Sequence, residues 1–430
     1  MKFKFFGKKE NPVGRALVPP GVPYIGGAKE GADLIKDGYA RNVIVYRAVR
    51  EIATAAASIK FDLHQGEKIL EKHPIIDLLR RPNPMNGQGS FIEELFTNFL
   101  INGEMWISKN GIASSKEPKE LWSLSPLDMK LIPGPAGIPL RYIHRKGNVE
   151  TSFPVDPITG MSDVFFLKMV DPLNYWRGMP PLRAAALAAD AHNEGLNWNY
   201  NLMRKGARPS GYIKGAGGNP GADVIARLKE WYRNTMQGSD NAGEVGIMFG
   251  GAEFVPFESN AKDMDFISGM KEFAKYVSSA FGVPLPLIDN DAASYNNMEQ
   301  AKERLWTDTV LPLANRFLDA FNVWLQYLYG DTTLVLKIDE DAIQALEGLR
   351  QKKFDRTIKA MTAGVLTINE TREEIGFDRI EEENADKLFI GGGLVPLATA
   401  DVGYDPTLAD PALDPVADPF VKPKTEAPAA

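Results

Sequence analysis

Apolar positions step by three and four residues through several long stretches of the chain and alternate only in short runs. Helices therefore carry the architecture and strands fill in between them. From Arg41 to Ile59, Val45, Val49, Ile52 and Ala56 fall on one helical face. His73–Leu79 reads as a short helix, stopped by Arg81-Pro82-Asn83-Pro84, because each proline disfavours helix at the residue before it. Ser90, with Glu93 three residues on, predicts a capping box, and the helix after it places Phe91, Leu95, Phe99 and Leu100 on one face. Asn102-Gly103 then turns the chain into a strand over Glu104–Ser108.

Further short strands are predicted at Leu121–Leu124, Met129–Ile132, Arg141–His144 and Val164–Met169, separated by Pro and Gly turns. A helix followed by such a meander is an α+β layer. Trp176-Arg177-Gly178-Met179-Pro180-Pro181 makes a rigid turn into a helix over Leu182–Lys205, whose early alanines allow close helix–helix approach. Residues 206–260 form a small insert: strand Gly211–Lys214, a glycine-rich loop, helix Ala222–Met236, and strands Glu244–Phe249 and Glu253–Phe257. An insert of that size buries little core alone, so neighbours must complete it.

A second long helix spans Asp263–Phe281, with Phe266, Met270, Phe273, Val277 and Phe281 on one face. Phe281-Gly282-Val283-Pro284 then opens a polar stretch containing Asp289, Asn290, Asp291 and Ser294-Tyr295-Asn296-Asn297. A third helix, Met298–Tyr329, is expected to kink at Pro312 and stop at Gly330. Strand Thr333–Ile338 and helices Ala342–Ala363 and Asn369–Ile375 follow; Thr367 and Glu370 form a capping box, and Gly376 suits a C-terminal cap. The chain has no internal repeat.

Composition narrows the function classes. At 430 residues, with 44% hydrophobic and 24% charged residues, this is a globular chain long enough for more than one substructure. No apolar run approaches the roughly 20 residues of a membrane span, and the basic, aromatic start Met1–Lys9 lacks the apolar core of a signal peptide. The absence of cysteine excludes disulfides, thiolate metal sites and cysteine nucleophiles, and fits synthesis in the cytosol. Net charge is −7, of which −4 falls in the tail, where Asp401, Asp405, Asp410, Asp414, Asp418 and Glu426 face only Lys422 and Lys424. The near-neutral body has no basic stripe for gripping nucleic acid, although it can surround DNA without holding it.

Candidate chemistry is sparse. His64, His73, His144 and His192 show no metal-ligand spacing and read as ordinary surface or helix histidines. Asp339-Glu340-Asp341 is a conceivable carboxylate cluster, but its place between a strand and a helix suits N-capping. Gly215-Ala216-Gly217-Gly218-Asn219-Pro220 lacks the Gly-Lys-Ser/Thr ending of a phosphate loop, and no serine sits in a nucleophile elbow. The residues therefore give no catalytic set, no cofactor and no metal. Pro286–Met298 is free of Lys and Arg and carries Asp289 and Asp291, a composition that lets DNA phosphates slide past without binding.

Taken in order, several segments resemble the portal proteins of tailed bacteriophages, the HK97-type portals also found in prophages and gene transfer agents. They are Asp77-Leu78-Leu79-Arg80-Arg81-Pro82-Asn83-Pro84, Gly103-Glu104-Met105-Trp106, Trp176-Arg177-Gly178-Met179-Pro180-Pro181-Leu182, Phe281-Gly282-Val283-Pro284, Ser294–Glu299 and Leu366–Arg372. Met179-Pro180 departs from the residue and serine usual before Pro-Leu. The resemblance implies a portal fold: an α+β wing, paired long stem helices, a small α/β clip, a helical crown side and a disordered C-terminal tail. It maps 1–40 to an N-terminal arm, 41–181 to the first part of the wing, 182–205 to the first stem helix and 206–260 to the clip. The second stem helix falls at 261–281, the tunnel loop at 282–298, the wing helix and strand at 299–338, the crown side at 339–396 and the tail at 397–430.

The same resemblance implies a non-enzymatic ring, usually of twelve copies, at one capsid vertex of the virion, assembled in the bacterial host cytoplasm. Its partners would be double-stranded DNA in the channel, the terminase large subunit, the major capsid protein and a head–tail adaptor, with no membrane. Asp289, Asn290, Asp291, Ser294, Tyr295, Asn296 and Asn297 would line the channel. Tyr212, Trp231, Tyr232 and Phe249 would serve the clip and its interface, and Arg204, Lys205 and Arg208 would form a basic stem end that meets a neighbour or DNA. Two other readings stand beside it: a different head–tail connector or minor capsid protein, lacking the paired stem helices, and a hydrolase using carboxylates such as Asp339 and Asp341.

Overall fold

The computed structural model describes residues 34–110, 116–134, 137–204, 211–214, 221–227, 230, 253–256, 266–289, 295–382, 384–390 and 395–396. The chain divides into two compact units, Met1–Ala345 and Leu346–Ala430.

The first unit opens on α1 (Val43–Ala57), where Val45, Ala48, Val49, Ile52, Ala53 and Ala56 are buried along the stripe that the spacing predicts. Asn42 caps it, accepting from the Ile44 and Val45 amides at 3.0 Å each. Strands β1 (Phe61–Gln65) and β2 (Lys68–Leu70) follow, then α2 (Pro74–Arg80), whose cap is the His73 ring accepting from the Ile75 amide. Helix α3 (Gln88–Asn102) buries Phe91, Leu95, Phe99 and Leu100 as expected, together with Ile92, Phe96 and Ile101. It packs on α1.

The α3 start differs from expectation. Gly87 is the cap, and Ser90 lies inside the first turn, its hydroxyl donating to the Gly87 carbonyl at 3.1 Å. A start three residues earlier is favoured because Gln88 donates to the Ile59 carbonyl at 3.0 Å, a tertiary bond that outweighs a local capping box.

Strands β3 (Glu104–Asn110), β4 (Glu120–Ser123), β5 (Met129–Ile132), β6 (Arg141–Lys146), β7 (Val149–Pro154) and β8 (Val164–Lys168) form two antiparallel three-stranded sheets, β4-β3-β8 and β5-β6-β7. Trp106, Met129, Tyr142, Val155 and Val164 make the core between them. Trp106 stacks on Phe166 with ring centres 4.0 Å apart. The hairpin partner β7 was not legible in the sequence.

Helix α4 (Pro181–Arg204), strands β9 (Gly211–Lys214) and β10 (Glu253–Pro256), and helix α5 (Phe266–Phe281) come next. Residues 222–227 and 230 are helical, as expected for the insert. Helix α6 (Tyr295–Leu305) runs through a wide turn at Trp306–Val310 into α7 (Leu311–Tyr329), which Gly330 ends at φ 69°. The predicted kink is thus a wide turn lying just before Pro312, which occupies the second position of α7. A proline there removes an amide donor, and the backbone widens in the preceding turn to accommodate its ring.

Strand β11 (Leu334–Ile338) pairs antiparallel with β1, Leu63 opposite Leu336, to complete a sheet β11-β1-β2 across some 270 residues of sequence. Phe96, Phe165, Phe317, Phe321 and Trp324 join α3, β8 and α7 in one aromatic cluster, and the Trp324 indole donates to the Ser162 carbonyl at 2.9 Å. Asp339 caps a short turn by accepting from the Ala342 amide at 3.1 Å, the capping role expected of that acidic run.

The second unit holds α8 (Glu347–Thr362), α9 (Ile368–Glu374) and the short pair β12 (Phe389–Ile390) and β13 (Val395–Pro396). Helix α8 starts five residues later than the apolar pattern indicated. The Thr367–Glu370 capping box is present, with bonds of 3.1 and 2.8 Å, and Gly376 ends α9 at φ 88°. Buried Asn369 ties the following loop by donating to Ile380 O and Asp386 Oδ1 and accepting from the Ile380 amide.

Candidate functional site

Helices α4 and α5 pack along each other. At 24 residues α4 is about 36 Å long. Leu182, Ala185, Ala189 and His192 recur at spacings of three, four and three, and all are buried. Small side chains on that stripe let the pair approach closely; Gly195 lies against Met270. Asn42 reaches across to the same stripe, donating to the Ala189 carbonyl and to Asn193 Oδ1 at 3.0 Å each. His192 is buried rather than superficial, burial pushes its pKa down, and its ring Nδ1 lies 3.4 Å from the Asn42 amide nitrogen. Outside the stripe, Leu187, Tyr200 and Tyr276 are more than half exposed, large side chains left uncovered among the described residues.

Helix α5 ends in a built turn. Gly282 takes φ 71°, and the Val283 amide reaches back to the Ser278 carbonyl at 3.0 Å. The Thr309 hydroxyl, from the wide turn before α7, donates to the Gly282 carbonyl at 2.6 Å. A Cβ on residue 282 would sit 2.7 Å from that hydroxyl, so glycine is required by both backbone and space. Val283 and Leu287 are buried, a short turn forms at Leu285–Leu287, and the Asp289 amide bonds the Leu285 carbonyl at 2.8 Å. Arg47, held by Glu51 at 2.8 Å, donates to the Leu287 carbonyl at 3.4 Å. The near end of the loop is thereby pinned to α1 and to the Trp306–Val310 turn.

Of the loop residues singled out in the sequence, Asp289 is half-buried at the end of this pinned segment. Asn290, Asp291 and Ser294 lie outside the described residues. Tyr295, Asn296 and Asn297 are not loop: they form the first turn of α6, with Asn297 exposed. Their polarity resembles a loop, but Ala301 and Leu305 give the segment a buried helical face. Arg204 is the exposed last residue of α4, whereas Lys205 and Arg208 lie outside the described residues. In the insert, Tyr212 pairs with Val255 in the β9–β10 ribbon, and Trp231, Tyr232 and Phe249 lie outside the described residues.

One further cluster positions the helix pair, and sequence reasoning missed its chemistry. Gly103, with φ 75°, and Gly178 touch backbone to backbone, and the Met169 amide donates to the Gly103 carbonyl at 2.8 Å. Next to them Glu104 is buried. Its Oε1 accepts from the Gly178 amide at 3.0 Å and from Arg177 Nε at 2.7 Å, and its Oε2 accepts from the Trp106 indole at 3.0 Å. Arg177 also donates to the Met129 carbonyl at 3.1 Å. Burial raises the Glu104 pKa, and the Arg177 guanidinium works against that rise. Five residues after Arg177, buried Leu182 seats the first turn of α4, and Arg183 meets buried Asp171 at 3.3 Å. The Gly-Glu-Met-Trp and Trp-Arg-Gly segments are thus one knot at the root of the helix pair.

No group of three His, Asp or Glu is placed to hold a metal ion among the described residues, and no described helix is long and apolar enough to cross a membrane.

The family model for phage portal proteins matches residues 43–376. Among relatives, a Rickettsia bellii protein is 32% identical over 357 residues, spanning 80% of this chain and 89% of its own. The portal protein of Escherichia phage T5 is 21% identical over 376 residues, spanning 85% and 88%. Three solved structures share the fold. The neck of an empty gene transfer agent particle, determined with sixfold symmetry, gives a TM-score of 0.64 at 30% identity, covering 84% of this chain and 96% of that one. The neck of the native particle, determined with twelvefold symmetry, gives 0.61 at 29%, covering 83% and 95%. The virion of the native particle gives 0.62 at 30%, covering 84% and 96%.

Proposed function

The chain belongs to the phage portal protein family, and from that membership we propose that its helix pair and the loop after Phe281 form the wall of a channel for double-stranded DNA. A portal protein is a structural component of the particle, a ring oligomer at one vertex of the capsid. In this reading the ring has twelve copies, α4 and α5 are stem helices, and the β9–β10 insert is a clip completed by its neighbours. Leu187, Tyr200 and Tyr276 are then covered by the adjacent copy. The terminase large subunit supplies the energy of packaging, and the major capsid protein and a head–tail adaptor contact the rim. In this reading the chain itself performs no catalysis; of the two carboxylates that a hydrolase reading would use, Asp339 and Asp341, the first caps the turn that contains the second.

The observation that carries the proposal is the construction of the loop. It is fastened at Gly282, Val283 and Leu287, and α6 resumes at Tyr295. The segment Pro286–Met298 carries no cation that would hold a phosphate. A mobile duplex needs an anchored wall with little affinity, and the fastened near end together with the cation-free composition supports that reading.

The test replaces residues 289–294 with a Gly-Ser segment of equal length and follows two quantities. Ring mass by mass photometry is expected to stay near 570 kDa for twelve copies of 47.4 kDa, while DNA packaged per particle falls severalfold. Normal packaging by the variant would remove the loop from the mechanism. A persistent monomer in the unmodified chain would count against the ring itself.

A further inference from the structure

We propose that the outer face of α8 is a contact surface for the phosphate backbone of double-stranded DNA, an assignment that rests on the portal reading. The helix carries Arg350, Lys352, Lys353, Arg356 and Lys359 against Glu347 and Asp355, a balance of +3 in a chain of net charge −7, so a local basic strip exists that the near-neutral total concealed. Arg350 meets Glu347 at 2.7 Å, and Lys353 meets Glu374 at 3.3 Å. Lys352, Arg356 and Lys359 stand at i, i+4 and i+7 and share one face, which is exposed at all three positions. The opposite face is anchored by buried Thr357, whose hydroxyl donates to the Lys353 carbonyl at 2.9 Å. Arg356 and Lys359 make no ion pair among the described residues. Asp355, on the flank of the stripe, accepts from the Gln351 amide group at 3.1 Å.

The stripe is about 10 Å long at 1.5 Å per residue. A duplex carries one negative charge per about 1.7 Å of axis, so a strip of that length faces several phosphates. The surroundings set the character of the contact. Residues 363–390 hold eight acidic side chains and three basic ones, and one of the acids, Glu374, lies 3.3 Å from Lys353 beside the strip. Cations framed in this way touch a backbone along one line and repel it elsewhere. One copy would hold a duplex weakly, and a ring repeats the contact in every copy.

The experiment measures binding of a fluorescently labelled duplex of about 30 base pairs to purified full-length rings across a salt series. It compares the unmodified chain with Lys352→Gln/Arg356→Gln/Lys359→Gln, and both again after removal of residues 397–430. Affinity of the unmodified ring is expected to fall steeply with salt. The triple variant is expected to bind at least about tenfold more weakly, with a salt slope smaller by about 2 to 3. Equal affinity and slope for the two chains overturn the proposal. Binding that emerges only when 397–430 is removed, and that needs the three cations, assigns the stripe to the chain's own acidic tail and overturns it as well. Intact rings with unchanged duplex binding fail this proposal alone, whereas absence of rings in the unmodified chain fails the portal reading with it.

Discussion

Replacing Gly178 with alanine is expected to cost about 3 kcal/mol or more and to prevent the chain from accumulating as folded protein at elevated temperature. The reason is space rather than conformation, since Gly178 is absent from the positive-φ glycines. A Cβ there would overlap the Gly103 carbonyl oxygen and lie 2.7 Å from its carbon and 3.1 Å from the Met169 amide. All three neighbours are backbone atoms, so no side chain can swing away. Relief requires parting the turn from the α3–β3 junction, which breaks the Met169–Gly103 hydrogen bond and lifts Glu104 from the Gly178 amide. Gly66 provides the contrast: its φ is 63°, but a Cβ would meet nothing within 4 Å. Gly66→Ala should therefore lose only the left-handed backbone penalty, about 1 kcal/mol. Thermal and denaturant midpoints of the two variants decide the matter. A Gly178→Ala protein within about 0.5 kcal/mol of the parent would show that the two backbones do not meet as closely as described.

The same knot marks where the sequence stopped being legible. The helices could be read because their cores are local patterns; Val45, Val49, Ile52 and Ala56 need no partner to declare a face. Strand β1 is different. Of Phe61–Gln65 only Leu63 is fully buried, and its pairing comes from β11, far along the chain. Strand β7 shows no alternation, because five of its six residues are exposed and β6 alone holds it. The polarity of Tyr295–Asn297 suggests loop, yet the segment opens a helix that buries Ala301 and Leu305. The Gly-Glu-Met-Trp and Trp-Arg-Gly segments were visible as family words and opaque as chemistry. Nothing in a strand sequence says that its glutamate will meet an arginine 73 residues later. The polar loop after Pro284 was legible in composition, while its fastening depends on Thr309, a position no local pattern marks.

Arg177→Met is expected to destabilise the protein by about 2 to 3 kcal/mol at pH 8, and by clearly less at pH 5. Removing one partner of a buried pair leaves a charge without compensation, a loss of about 3–5 kcal/mol when both groups are buried. Arg177 is 40% exposed while Glu104 is 1% exposed, so solvent screens part of the pairing and the expected loss is smaller. The sign with pH follows from the carboxyl. Burial holds the Glu104 pKa above its ordinary value of 4.5 in the folded chain, so the folded state binds this proton more tightly than the unfolded state does. The stability that this group confers is therefore greatest below its ordinary pKa. It declines as pH rises through the window up to the raised folded value, and is level above it. Without the guanidinium the folded pKa climbs further and the window extends upward, so acidification rescues the variant by protonating the stranded acid. Unfolding midpoints of the parent, Arg177→Met, Glu104→Gln and the double variant between pH 5 and 8 isolate the effect from other carboxylates. In the Glu104→Gln background the Arg177→Met penalty should shrink to about 1 kcal/mol, the value of the neutral hydrogen bonds to the Met129 and Pro126 carbonyls, and its pH dependence should vanish. A penalty that is equally large at both pH values, or unchanged in the Glu104→Gln background, would mean that Arg177 acts by packing and hydrogen bonding alone. The root of the helix pair would then owe nothing to the buried charge.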